Sequence, residues 1–497
     1  MSSSIFLVLP NQLFNTKILK LYLKKNDIPT KGLKFVIVED PVYFGFRESK
    51  MNFNKKKLIL HFASMKYYYD YLHQNKFDVE YIELDECLKN KATFYNQSMF
   101  KKNKTYCFDP VDHLLMSKIK KNKNIEILDS PLFLNTNESL EEYHTSKKNE
   151  DNYFHSSFYK WQKKSLNVLP NEKSYDSMNQ NKIPKDIKVP PLPKITKCEF
   201  ITRACARVNK QFGKNYGSVD DYVFPINHRD SLRFLKHFCE KKLQLFGQYQ
   251  DAIDTSRNFL YHSCLSPMIN IGLLSPMEVL TYVKSYYSKN SKRVKIQNYE
   301  GFIRQLIGWR EYQRYIYLYG YKKMTSLNHF GNKKKLNSNW YKGTTGLLPL
   351  DDAIKMAFKD GYLHHILRLM VVGNLMNLVG IHPKEAYTWF MEFAVDSYDW
   401  VMIGNVYSMA MWSDGGLSMR KPYISGDGYV MNKVGNYSRG DWNKIWLSLF
   451  YNFIARNQKQ ISKTYYNGMI KNWNNKSKTD RDEITKISGK FIKDNTK

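Results

Sequence analysis

The spacing of hydrophobic positions divides the chain. Near the start, Ile5–Leu9 (IFLVL), Leu33–Val38 (LKFVIV), Val79–Leu84 (VEYIEL), Tyr106–Phe108 and Ile125–Leu128 (IEIL) are short runs rich in β-branched and aromatic residues, the signature of strands. Between them, Leu58–His73 (LILHFASMKYYYDYLH) repeats its apolar positions at helical spacing. Strands alternating with helices predict a Rossmann-like α/β domain over 1–131, with a parallel sheet covered on both faces. Such sheets present ligands at the carboxyl ends of their strands, here Pro10–Gln12 and Glu39–Asp40. No GxGxxG fingerprint follows a strand, so the usual dinucleotide turn is not expected.

Residues 132–200 lose both periods. They are rich in Asn, Lys and Ser and end in IPKDIKVPPLPKITK, where Pro184, Pro190, Pro191 and Pro193 favour extended backbone. The stretch reads as an interdomain linker with islands at Phe154–Gln162 and Ser174–Lys182. From 201 to 456 the strand signal is gone. Asp230–Leu245, Pro276–Tyr287, Tyr299–Tyr319, Leu350–Leu378, Pro383–Phe393 and Arg439–Arg456 carry apolar residues at helical spacing. Pro276 and Pro383 stand where a first helical turn accepts proline, and Gly380 stands where a helix ends. A large all-α domain is expected, followed by a basic polar tail, 457–497, expected to be frayed.

Composition narrows the partners. Lys+Arg number 77 against 46 Asp+Glu, a net charge of +31, which suits a polyanion such as nucleic acid. Part of the excess reflects a Lys- and Asn-heavy composition, and an acidic membrane surface would fit the charge equally well. Aromatics make up 15% of the chain, which serves cores and also suits flat conjugated ligands or bases. The six cysteines form no CxxC pair, and none lies beyond Cys264, so neither a disulfide framework nor a zinc site is indicated. No apolar run approaches the length of about 18 residues that spans a bilayer, and the N-terminus lacks a basic leader. A soluble, intracellular protein without membrane association is expected.

Four stretches carry candidate chemistry. FGQYQDAIDTSRNFLYHSCLSPMINIGLLSP (246–276) strings small hydroxyl residues and glycines before helix starts, as a phosphate site would, though inter-helix turns share that composition. GFIRQLIGWREYQRYIY (301–317) sets Arg304, Arg310, Glu311 and Arg314 among aromatics, and Glu311 with Arg314 is also an ordinary surface pair spacing. GYLHHILRLMVVGNLMNLVG (361–380) holds adjacent His364 and His365, about 100° apart if helical and thus unlike the i,i+4 pair of HExxH metal sites. VDSYDWVMIGNVYSMAMWSDGG (395–416) precedes KPY at 421–423.

Taken together and in this order, FIRQLIGWREY, YLHHILRLM, TWFMEF, NVYSMAMWSDGG and KPY resemble the photolyase/cryptochrome superfamily, and most closely its prokaryotic iron–sulfur branch with the bacterial (6-4) photolyases. The likeness runs from LPNQLF near the start to ARN at 455–457. It implies an α/β antenna domain and a helical domain holding a bent FAD. By resemblance, Tyr261, Ser263, Leu265 and Ser266 contact the flavin's phosphates and ribityl chain. Arg310 pairs with Asp396 beside the ring, with Met402, Asn405 and Asp414 on the same wall. His365, helped by His364, moves the proton that a (6-4) lesion requires. Tyr423 and Tyr429 stack on extruded bases, and Trp389 and Trp340 relay electrons. The implied activity is light-driven repair of UV-damaged DNA by a monomeric enzyme, with the (6-4) photoproduct favoured over the cyclobutane dimer. A cryptochrome-like photoreceptor is the alternative.

The sequence departs from that branch in three ways. The late stretch NKVGNYSRGDWNKIWLSLFYN is shortened and, like Leu348 and its neighbours, offers no cysteine, so no iron–sulfur cluster is expected; Trp442, Trp446 and Phe450 are candidates to fill the space. Met402 stands where the branch places a Glu facing the flavin N5. Phe390 replaces a relay Tyr. A ribityl-lumazine antenna is a further implied ligand, for which Gln12, Glu39 and Asp40 at strand ends are candidates, although acidic residues there are commonly solvated turns.

Overall fold

The computed structural model describes residues 4–90, 93–147, 153–179, 181–254, 256–433 and 437–497. Residues 148–152 and Gln180, in the expected linker, and 434–436, in the shortened late stretch, lie outside the described residues. The chain forms two compact units. One comprises Met1–His144, Leu192–Lys241 and Ser263–Asn290; the other comprises Thr145–Pro191, Lys242–His262 and Ser291–Lys497.

The first unit is built on the expected parallel sheet. Strands β1 (Ser4–Val8), β2 (Leu33–Val38), β3 (Asp78–Ile82), β4 (Thr105–Phe108) and β5 (Ile125–Leu128) lie in the order β3-β2-β1-β4-β5. All four pairings are parallel, with Phe6 opposite Phe35 on one side and Tyr106 on the other. The central strands are buried on both faces, which is why they read as continuous apolar runs. Phe6 packs on Phe35 at 5.3 Å and on Phe108 at 5.1 Å. The helix Lys55–Gln74 starts where the Asn54 side chain accepts from the Lys56 N–H, a standard N-cap.

The expected boundary at residue 200 is not where the units divide. Helix Glu199–Gln211 packs on helix Lys55–Gln74 and buries Ala204 and Val208. Its Arg207 grips Glu39 with both guanidinium arms, at 2.8 and 2.7 Å. Apolar burial and a charge pair tie this helix to the α/β unit, although its sequence period is indistinguishable from that of the helices after it.

The second unit is helical. Pro383 opens helix Pro383–Phe393, and Gly380, at φ 85°, closes the helix before it. Three wide π-helical segments, Arg304–Arg310, Leu367–Gly373 and Ile403–Ala410, interrupt the α-helical winding. Such turns are rare and concentrate at functional sites. Trp442, Trp446 and Phe450 are buried on helix Asp441–Arg456.

The tail is not frayed. It forms helices Gln458–Ile461, Asn467–Asn474 and Lys478–Asn495. The last is N-capped by Ser477 and packs on helix Asp441–Arg456, burying Ser488, Phe491, Ile492 and Asn495. A polar average composition concealed an i, i+3, i+4 stripe narrow enough to dock one helix face.

Candidate functional site

Gly361, at φ 65°, ends helix Leu348–Asp360. The chain then runs non-helically through Tyr362, Leu363 and His364 and winds up again at His365. Asn258 fixes this break by donating to the Tyr362 carbonyl at 2.7 Å and to Asp360 at 2.8 Å. The expectation of two histidines on one helix is therefore corrected, because the left-handed glycine interrupts it. His364 is 1% exposed, whereas the His365 side chain is 49% exposed. Their ring planes cross at 72°.

A third histidine completes the group. The His262 ring lies face to face with that of His364, at 4.7 Å and 9°. Its Nε2 is 3.0 Å from the Gln250 carbonyl. The His365 Nε2 is 3.1 Å from Asp251 Oδ1. Burial lowers the pKa of His262 to about 3 and holds His364 well below the ordinary imidazole value, with neighbouring histidines adding to the effect. Both rings are neutral at neutral pH. Among the described residues, neither ring nitrogen of His364 has a hydrogen-bond partner. Leaving a buried polar atom unmatched costs about 1–3 kcal/mol.

Around this group the other expected residues are placed as follows. Asp396 is engaged by Arg368, whose Nη2 lies 3.0 Å from Oδ1 and 3.1 Å from Oδ2. Arg310, the expected partner, lies 3.8 Å from Glu311 and 4.8 Å over the Trp400 ring. Arg368, four positions past His364, thus makes a guanidinium–carboxylate pair with Asp396. Desolvation lowers Arg310 to about 10, so it keeps its charge at neutral pH. Met402 is buried and ends the short helix Asp399–Met402. Asn405 donates to the Val401 carbonyl at 2.7 Å, and its oxygen faces Gln313 Nε2 at 3.3 Å. A Cβ on Gly404 would collide with the end of the Gln313 amide, which would have to move. Asp414 accepts from the Ser408 hydroxyl and the Gly416 N–H, and burial raises its pKa.

Tyr429 is half-buried; burial, with Asp251 adding a like-signed push, raises its hydroxyl pKa. That places it in the electrostatic neighbourhood of the His365 partner. Tyr423 is also half-buried, and its hydroxyl is raised by burial with Asp176 as a lesser influence. Asp176 in turn pairs with Arg304, and Glu300 accepts from the Tyr159 hydroxyl at 2.9 Å and from the Tyr175 N–H at 3.2 Å. The Ser174–Lys182 island is thereby anchored to the first π-helical segment.

Trp389 and Trp340 are both fully buried and adjacent, the Trp389 Nε1 donating to the Trp340 carbonyl at 2.8 Å. Trp340 Nε1 donates to the Asn495 carbonyl at the end of the last helix, also at 2.8 Å. Phe390 packs against Trp389 at 5.2 Å. Tyr261 stacks near Tyr249 at 5.6 Å and donates weakly to the Lys188 carbonyl.

Other expected residues belong to the first unit. Leu265 is buried and its N–H reaches the Ser263 hydroxyl at 3.4 Å; Ser266 begins helix Ser266–Asn270. The strand-end residues Gln12, Glu39 and Asp40 are all buried rather than solvated. Gln12 donates to the Phe108 carbonyl at 2.7 Å, and Asp40 accepts from the Val42 N–H and the Tyr95 hydroxyl. Each has structural bonds of its own.

Sequence reading missed Asp251, His262 and Arg368. All three lie inside stretches it singled out, but a pair 114 positions apart, such as Asp251 and His365, leaves no local spacing signal.

Residues 6–224 match the deoxyribodipyrimidine photo-lyase-related protein family, and residues 300–481 match the FAD binding domain of DNA photolyase. The structure is similar to that of a bacterial class III photolyase from Agrobacterium tumefaciens, with a TM-score of 0.55 at 13% identity over 99% of this chain and 98% of that one. It is similar to a Synechocystis sp. cryptochrome at a TM-score of 0.55 and 14% identity, over 97% and 93% of the two chains. The fold is that of photolyases and cryptochromes. A (6-4) photolyase of Agrobacterium fabrum is 30% identical over 325 residues, 62% of this chain and 64% of that relative. The aligned region spans less than two thirds of that relative's length. The chain belongs to the photolyase/cryptochrome superfamily as a photolyase-related protein.

Proposed function

We propose that the chain is a light-driven DNA photolyase that binds FAD and acts, as a monomer, on UV-damaged DNA, with the (6-4) photoproduct as its lesion. The observation that carries this is His365: an imidazole half in solvent, held at Nε2 by Asp251, with Tyr429 in the same electrostatic neighbourhood. The helical unit fits a polar planar cofactor. Among the described residues, the buried amide oxygens Asn258 Oδ1 and Gln313 Oε1 have no hydrogen-bond partner, and the partly buried Arg368–Asp396 pair supplies charge. Arg368, Asp396, Asn405 and Arg310 are the residues that would hold it, beside buried Met402.

When bound and reduced, the flavin supplies one electron to the lesion under blue light. This chain's residues do the rest. The net charge of +31 attracts the DNA phosphates, so affinity falls steeply with salt. Half-buried Tyr423 and Tyr429 offer faces on which extruded bases stack; photolyases are among the base-flipping enzymes. His365 holds and passes a proton at its ring while Asp251 fixes the ring's orientation. Trp389 and Trp340 carry electrons inward; Phe390, much harder to oxidise, takes no part.

The test is repair of a (6-4)-bearing oligonucleotide by purified, photoreduced protein under blue light. Loss of the lesion only in light supports the proposal; an unchanged lesion with the flavin reduced overturns it. The same assay on a cyclobutane dimer separates the two lesions. Met402 and Phe390 favour a second reading, a cryptochrome-like photoreceptor. Equal affinity for damaged and undamaged DNA would support that one.

A further inference from the structure

We propose that His262, His364 and His365 form a binding site for a divalent first-row metal ion of the zinc type, with Asp251 as an outer partner that orients His365. The three imidazoles come from two chain segments, and their ligand atoms all lie within 4.8 Å of one another. Asp251 is joined to the set through His365 Nε2 at 3.1 Å. Three imidazoles with an open fourth position are a donor set that tetrahedral zinc accepts, and imidazole is also a good ligand for cobalt, nickel and copper.

His364 supplies the independent reason. It is 1% exposed and, among the described residues, both of its ring nitrogens lack a hydrogen-bond partner. A core histidine normally donates one ring N–H and accepts at the other nitrogen. His262 contrasts with it, because its Nε2 donates to the Gln250 carbonyl at 3.0 Å. That second-sphere bond fixes the tautomer in the way metal-bound histidines are commonly held.

The geometry also states what must move. With metal–nitrogen bonds of about 2.0–2.1 Å, two tetrahedral ligand atoms stand roughly 3.3 Å apart. His262 and His364 now lie parallel, at 9°, so one ring tilts to aim at a shared ion. His365, half in solvent, closes from the open side. An ion held here occupies the His365 nitrogen that the proposed proton transfer uses. Zinc is therefore expected to inhibit repair, a consequence that rests on the photolyase reading, whereas binding does not.

The experiment titrates full-length protein, stripped with a chelator and kept oxidised in the dark, with Co2+ alone. One equivalent should produce the ligand-field bands of four-coordinate cobalt, at wavelengths longer than oxidised flavin absorbs, and Zn2+ should erase them. His364→Ala should abolish the bands. His365→Ala, altered at a half-exposed ring and confirmed folded by circular dichroism, should abolish them as well. Asp251→Asn should weaken binding about 10–100-fold. No bands, or bands that survive His365→Ala, overturn the site. Because the readout uses neither light nor DNA, failure of the photolyase reading leaves the bands in place, and failure of the metal site removes them whether or not the protein repairs DNA.

Discussion

Two buried polar groups, one in each unit, are satisfied in opposite ways. In the α/β unit, Glu39 is fully buried, and both of its oxygens are matched: it accepts from the Tyr81 hydroxyl at 2.5 Å, the Leu84 N–H at 2.8 Å and both arms of Arg207. In the helical unit, His364 is as deeply buried and its nitrogens are matched by nothing among the described residues. A saturated network holds elements together. A buried group left unsaturated costs stability, and persists where something outside the chain uses it. On this ground Glu39 is structural, although it sits at a strand end where ligands are expected, and the histidine group is the one proposed to work.

The largest test of that contrast is His365→Ala. Removing a positioned acid or base should lower light-driven repair by about 10²–10⁴-fold. DNA affinity should stay within a few fold. Normal repair in this variant would return His365 to the surface and remove the function from the group.

The matching change in the other unit is Glu39→Gln, which leaves the Arg207 charge without its partner. Breaking a buried pair costs about 3–5 kcal/mol. Because the Arg207 side chain is 20% exposed, the lower end is expected, read as an earlier urea transition. A shift near zero would show that Glu39 is not saturated by these bonds.

Acid should sharpen the comparison next. His61, in the α/β unit, is fully buried and its pKa is lowered from 6.5 to about 3, chiefly by burial. Its folded value lies below its unfolded one, so between those limits the unfolded chain binds the extra proton. Stability contributed by neutral His61 is complete above about pH 6.5 and falls as pH drops towards 3, by roughly 1.4 kcal/mol per pH unit for one group. In His61→Gln the slope of unfolding free energy against pH should lose about one proton in that window. An unchanged slope would mean that His61 titrates normally in the folded state.

The smallest effect separates the two kinds of burial most directly. His364→Leu removes an unmatched polar ring and should change stability by less than about 1 kcal/mol, or raise it. A loss of several kcal/mol would mean that the ring is satisfied after all, and both the contrast and the metal site would weaken together.

Much of this was legible in the sequence. Strand pattern and parallel pairing followed from short apolar runs alternating with a helical period, since sheet burial on both faces writes itself locally. Pro276 and Pro383 marked true helix starts for the same local reason. The helix Lys478–Asn495 was passed over because mean polarity masked its stripe, and helix Glu199–Gln211 because period does not say which unit a helix covers.

What the amino acids decided alone was the class of each segment and the family, through motifs whose members are close neighbours in the chain. Which side chains meet was decided only by folding. Arg368 holds Asp396 at 3.0 Å, and His262 stacks on His364 from 102 positions away. Periodicity reports the environment of one residue at a time. A contact between distant residues depends on how whole elements pack, and a single left-handed glycine at 361 turned two neighbouring histidines to different fates.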